Sequence, residues 1–150
     1  MNLRQKLENS LHDAMRNRDD IARDTIRMVF SSIKLAEVES RNTLDDPAII
    51  TILQKEVKVR KETISDLKGT DRNDLVDKAL TEIKTLEKFL PDQLSDEEIF
   101  VLARKVVNEL SATGPSDMGK VMKTLLPLIQ GQAAPDRVSQ IVKQILSGLS

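Results

Sequence analysis

Apolar residues recur every three or four positions from one end of this chain to the other. That is the period of a helix face, not the two-residue alternation of a half-buried strand. Leu3, Leu7, Leu11 and Ala14 form a first stripe, and Ala22, Ile26, Val29, Ile33 and Ala36 a second, with a polar break at Asn17-Arg18-Asp19-Asp20 between them. Asp45-Asp46-Pro47 reads as a helix start, since aspartate accepts from free first-turn N–H groups and proline loses no bond there. The third helix carries Ile50, Leu53, Val57, Ile64 and Leu67, with Arg60 as the one polar member of its stripe, and Gly69 ends it. A fourth, from about Asn73, presents Val76, Ala79, Ile83, Leu86 and Leu90 before Pro91 closes it.

Pro91-Asp92-Gln93-Leu94 reads as a hinge, and Ser95-Asp96-Glu97-Glu98 after it as a capping box. The helix it opens shows Ile99, Ala103, Val106 and Leu110 and stops at Thr113-Gly114-Pro115. Ser116 or Asp117 can cap the next helix, lined by Met118, Val121, Met122, Leu125 and Ile129 and ended by Gly131. A last helix starts at Pro135 with Val138, Ile141, Val142, Ile145 and Leu149. The fold expected is all-α: residues 1–91 form an N-terminal helical bundle of about four helices, and residues 95–150 a compact three-helix tail module.

Composition narrows the chemistry. With 39% hydrophobic and 31% charged residues in 150, the chain is apolar enough to fold. It has no cysteine, which removes disulfides, thiolate metal sites and cysteine nucleophiles together, and one histidine, His12, which cannot build a histidine-rich metal site alone. No apolar run approaches the roughly 20 residues that span a bilayer, and Met1-Asn2-Leu3-Arg4-Gln5-Lys6 does not lead into a signal core, so a cytoplasmic location and no membrane contact are expected. A net charge of −1 argues against a protein that coats nucleic acid through a large positive field. Phe30, Phe89 and Phe100 are the only aromatics, so base-stacking platforms are scarce. Any RNA would be held through its backbone and folded shape.

Catalysis needs a nucleophile or base held by a partner. Ser31-Ser32 lies inside an amphipathic helix, where small residues at a helix crossing are the plainer reading, and His12 sits on the flank of the first stripe. There is no phosphate-gripping glycine loop. No catalytic residue, metal or cofactor is therefore expected. Two features stand out instead. Lys55, Lys58, Arg60 and Lys61 make a positive patch on the third helix, either its wet side or a phosphate-facing surface. The second is Gly114-Pro115-Ser116-Asp117-Met118-Gly119-Lys120-Val121-Met122-Lys123, a turn feeding a helix that contains a glycine. Glycine costs about 1 kcal/mol of helix propensity relative to alanine, so at Gly119 it points to close backbone approach, either by another helix or by an RNA backbone.

Asp117-Met118-Gly119-Lys120-Val121-Met122, then Leu126-Pro127 and Gly131-Gln132-Ala133-Ala134-Pro135 with Val138, Ile141 and Val142, resemble the tail module of the GatB/YqeY family. The resemblance extends upstream through Ala14-Met15 with Asp19-Asp20, Ile26-Arg27, Ile33-Lys34, Val57-Lys58 with Arg60-Lys61, Arg72 with Asp74-Leu75, Glu82-Ile83, and Leu90-Pro91 with Gln93-Leu94-Ser95. The same tail ends the B subunit of the glutamine-dependent aminoacyl-tRNA amidotransferase, and the resemblance implies a contact with tRNA there. Carried onto this chain, it makes Met118, Gly119, Lys120, Met122 and Lys123 the RNA-facing or core-defining motif, with Gly131 and Pro135 shaping the following turn. Gln132 stands where the family usually has Lys or Arg, Ala134 where Asp or Asn caps the last helix, and Ala79 where glutamate is usual.

The function expected is a non-catalytic tRNA-binding or tRNA-amidotransferase-associated accessory protein, with RNA-binding residues Lys120, Lys123, Gly119, Met118, Met122, Lys55, Lys58 and Lys61. The partners are then tRNA, amidotransferase subunits or another protein. The alternative is a protein–protein adaptor offering the Met118/Met122 region to a partner helix, methionine being adaptable at such surfaces. Transamidation itself, carbon–nitrogen ligation with glutamine as amide donor, is expected only as part of a complex.

Overall fold

The computed structural model describes residues 1–149, and these form seven α-helices with no strand among them: α1 (Leu3–Arg16), α2 (Asp20–Ser40), α3 (Asp46–Asp66), α4 (Asn73–Glu87), α5 (Asp96–Glu109), α6 (Met118–Ile129) and α7 (Pro135–Ser147). The chain divides into two compact units, Met1–Leu90 and a second from Pro91 onward.

The starts of the helices are chemically marked. Asn2 and Gln5 form a reciprocal capping box on α1, Asp19 accepts from the Ala22 N–H on α2, and Asp45 accepts from Ala48 on α3 with Pro47 in the first turn. Ser95 and Glu98 make the capping box expected on α5. Asp46 also accepts from the Leu3 N–H at 3.2 Å, tying the start of α3 to that of α1.

In the first unit Leu3, Leu7, Ile26, Val29, Ile33, Ile49, Leu53, Val57, Ile83 and Leu86 form one buried cluster. The α3 stripe runs through Ile49, with Ile50 only half-buried, one position earlier than the spacing suggested. Arg60 closes that stripe and does not join the lysine patch. Its side chain is 7% exposed and lies between Glu56 and Glu82, at 2.7 Å from each. Its Nη1 also donates to the Glu56 carbonyl at 3.0 Å, and its Nη2 lies 3.5 Å from the Met28 sulfur. One guanidinium thus joins α2, α3 and α4.

In the second unit Ile99, Ala103, Val106, Val107, Val121, Leu125, Ile129, Ala133, Val138, Ile141, Val142 and Leu146 are buried together. Leu149, placed on the α7 stripe by its spacing, is exposed beyond the helix end, and Leu146 takes the buried place. The segment Pro91-Asp92-Gln93-Leu94, read as a hinge, opens this unit, and its last two residues are bonded within it. Gln93 donates to the Gly131 carbonyl at 2.8 Å, the Leu94 N–H to the Gln132 carbonyl at 2.8 Å, and Arg137 to the Leu94 carbonyl at 2.7 Å. Gln93 and Leu94 are therefore bonded into the second unit, whose boundary with the first falls at Leu90 and Pro91.

Replacing Arg60 by alanine leaves two carboxylates facing each other in a nearly dry interface. Arg60→Ala is expected to destabilise the chain by about 3 kcal/mol in urea unfolding followed by circular dichroism. The triple variant Arg60→Met, Glu56→Gln, Glu82→Gln should recover most of that loss. A cost for Arg60→Ala below about 1 kcal/mol, the size of a surface ion pair, would show that the network does not hold the three helices.

Candidate nucleic-acid interface

The entry to α6 is built from a turn. Pro115–Asp117 forms one 3-10 turn, in which the Asp117 N–H donates to the Gly114 carbonyl at 3.0 Å. The Asp117 carboxylate faces backward and accepts from the Thr113 N–H at 2.8 Å and the Thr113 hydroxyl at 3.4 Å. The Thr113 amide, and after it the Lys120 charge, holds this carboxyl below its ordinary value against the opposing effect of burial. With Asp117 engaged there, no side chain caps α6; the preceding turn takes over part of that role, the Met118 N–H donating to the Pro115 carbonyl.

Folding sorts the residues of the motif into two kinds. Met118 and Met122 are half-buried and pack against the core of the second unit. Gly119, Lys120 and Lys123 are exposed. A Cβ built on Gly119 meets no atom within 4 Å, so no helix of this chain approaches it. Lys120 reaches back with its Nζ 3.3 Å from the Leu110 carbonyl, at the open end of α5. Lys123 makes no ion pair with a described residue. A further cation, Lys143 of α7, shares a recess of about 180 Å³ with Pro115, Met118 and Leu146. Only the packing of α7 beside the turn brings it there; with Lys143 25 positions beyond Met118, sequence spacing carries no sign of it.

The turn after α6 matches the roles expected of its residues. Gly131 is buried with φ +78°, a conformation that glycine adopts without the clash other residues meet. Pro135 occupies the first turn of α7, and Ala134 before it gives no side-chain cap. Gln132 contributes through its backbone carbonyl, which accepts from Leu94.

Lys55, Lys58 and Lys61 are exposed on α3, in the first unit, whereas the α6 lysines belong to the second. With Arg60 withdrawn into its pair of glutamates, the α3 patch is reduced to these three lysines. Elsewhere His12 and Ser31 are exposed, and Ser32 is half-buried with its hydroxyl 3.4 Å from Glu56. Among the described residues no group of three or more His, Cys, Asp or Glu side chains is placed to hold a metal ion, and no helix is long and apolar enough to cross a membrane.

A family model described as Yqey-like protein matches residues 4–146. An uncharacterized protein of Schizosaccharomyces pombe is 30% identical over 95 residues, covering 63% of this chain and 77% of that protein. The protein of Vanderwaltozyma polyspora named Altered inheritance of mitochondria protein 41, mitochondrial, is 34% identical over 108 residues, covering 69% of this chain and 58% of the relative. Its namesake in Pyrenophora tritici-repentis is 25% identical over 144 residues, covering 94% and 79%. Against the relatives of that name from Vanderwaltozyma polyspora and Kluyveromyces lactis, the chain spans 58% and 61% of their length.

The second unit holds two carboxyls below their ordinary values: Glu98, through the Ser95 backbone and hydroxyl, and Asp117, through the Thr113 amide. A carboxyl whose value is lower folded than unfolded stabilises the fold above the unfolded value, about 4, and loses that contribution as pH falls through the folded value. Thermal unfolding of the chain is therefore expected to move to lower temperature on acidification below about pH 4. The double variant Glu98→Gln, Asp117→Asn should show a shallower acid slope. An unchanged slope in that variant would mean that other groups carry the acid sensitivity.

Proposed function

This chain belongs to the Yqey-like protein family, and on that footing we propose that it is a non-catalytic tRNA-binding accessory protein, associated with the tRNA amidotransferase, whose RNA-facing surface is the start of α6. The observation that carries this reading is the open ground around Gly119. An exposed helix gains stability from alanine over glycine, by about 1 kcal/mol, unless something must come close to the backbone. Nothing in the chain does so here. A phosphate laid against the first turn of α6 would use that space, with the positive helix end near it. Lys120, Lys123 and Lys143 supply the cations around it, and phosphate contacts of this kind position a folded RNA without reading its bases.

Any ligation with glutamine as amide donor then belongs to the partner enzyme, with this chain as a binding element. Such a role suits a compartment that translates, the cytoplasm expected from the sequence or the mitochondrion that appears in the names of several relatives. The packing of Met118 and Met122 against the core speaks against their use as a surface for a partner helix.

Fluorescence anisotropy with labelled total tRNA tests the proposal. Binding should weaken as salt rises, and Lys120→Ala, Lys123→Ala, Lys143→Ala together should lower the logarithmic salt slope by about 2 to 3, the number expected for three phosphate contacts. Gly119→Ala should raise the unfolding temperature while weakening tRNA binding, two changes that a purely structural glycine would not couple. No measurable tRNA affinity at low salt, or a Gly119→Ala chain that binds as the original does, overturns the reading.

A further inference from the structure

Helix α2 leaves an apolar row in solvent. Met28 is 51% exposed, Leu35 60% and Val38 68%. They lie at the first and fourth places of a seven-residue repeat, with Ser31 filling the place between Met28 and Leu35. The contacts of Arg60 with Met28 and of Ser32 with Glu56 set α2 antiparallel to α3, and that register brings half-buried Ile52 and exposed Val59 of α3 alongside the row. The exposed apolar residues thus gather in one patch, where on an ordinary surface they lie scattered.

One border of the row is basic. Arg27, Lys34 and Arg41 recur every seven residues beside it, which on a helix spaces them by about 10 Å. All three are exposed, and none makes an ion pair with a described residue. At one end Lys34, Val38 and Arg41 line a shared recess of about 320 Å³ with Glu37, Asn42 and Thr43. Glu37 does not neutralise them, because its carboxylate is taken by Arg4 at 2.5 Å and by the Leu44 N–H at 2.8 Å. At the other end the Asp24 carboxylate pairs with Arg23 at 2.9 Å, and its charge also reaches Arg27. Glu39 stands on the opposite border.

We propose that this face of α2 docks an amphipathic helix of another protein that carries acidic residues along one edge. The seven-residue repeat of apolar and basic positions matches the period of a second helix packed along the first. The acidic edge is set by this cation row, which no ion pair takes up, since opposite charges flanking an apolar seam fix which helix pairs and in which direction. A second copy laid antiparallel would set Arg27 against Lys34. An RNA backbone would meet the cations but leave Met28, Leu35 and Val38 in water. This surface belongs to the first unit, so the proposal stands apart from the tRNA reading of α6.

The test is a fluorescence anisotropy titration of the full chain with a labelled three-heptad peptide, leucine at the first and fourth positions and glutamate at the fifth and seventh, against the same peptide with lysine in place of glutamate. The acidic peptide should bind about tenfold more tightly or better. Leu35→Asp and Val38→Asp should each weaken it about tenfold, and Arg27→Glu with Lys34→Glu should reverse the preference toward the lysine peptide. These side chains are exposed, so the variants should keep the circular dichroism and melting of the original. The proposal falls if the two peptides bind alike, or if the aspartate variants bind the acidic peptide unchanged. It falls equally if the acidic peptide fails to bind while anionic phospholipid vesicles do, or if sedimentation shows a dimer that Leu35→Asp dissolves.

Discussion

No helix here can hide its own apolar stripe. Helices of 12 to 21 residues are marginal or short-lived in water by themselves, and they persist because a neighbour covers the stripe. This requirement produces the two compact units: Leu7, Ile26, Leu53 and Leu86 close one core, and Val106, Leu125, Val138 and Leu146 the other. Capping residues mark where α1, α2, α3 and α5 begin, but the mutual burial of the stripes decides that a helix stays. The placement of every polar group of interest follows from what those cores leave outside.

Electrostatics is then divided between inside and outside. Arg60 is drawn into the first unit because Glu56 and Glu82 can compensate it there. The remaining cations of α3 and those of α2 stay on the surface. With a net charge of −1 there is no excess positive field to spread over the molecule, so any recognition of an anion has to be local. The α6 start combines cations with an exposed glycine; the α2 face combines cations with an apolar row. The difference in their apolar content sets the difference in what each would hold, a phosphate backbone for the first and an acidic helix for the second.

Much of this was legible before folding. The helical period located all seven helices, and the capping box at Ser95 and Glu98 placed the start of α5 because its two bonds are local. The motif from Asp117 to Lys123 could be singled out, yet its two methionines and two lysines could not be told apart by role. Met118 and Met122 turn to the core and Lys123 to water because of where α5 and α7 pack, not because of anything in the motif. Lys143 was invisible for the same reason. Arg60 is the sharpest case: its spacing placed it both in the buried stripe and in the lysine patch, and only the presence of Glu82 on α4 resolves the ambiguity.

By itself the sequence determined the local chemistry: the period of the helices, their caps and breaks, the absence of cysteine, and the motif that marks the family. These depend on residues within a turn or two of one another, so they can be read along the chain. Which cations are neutralised, which apolar residues remain in water, and whether the glycine of α6 is crowded were decided only by the tertiary structure. Each of those is set by side chains far apart in sequence that packing brings within a few ångströms, and no spacing rule along one helix reports on its neighbours.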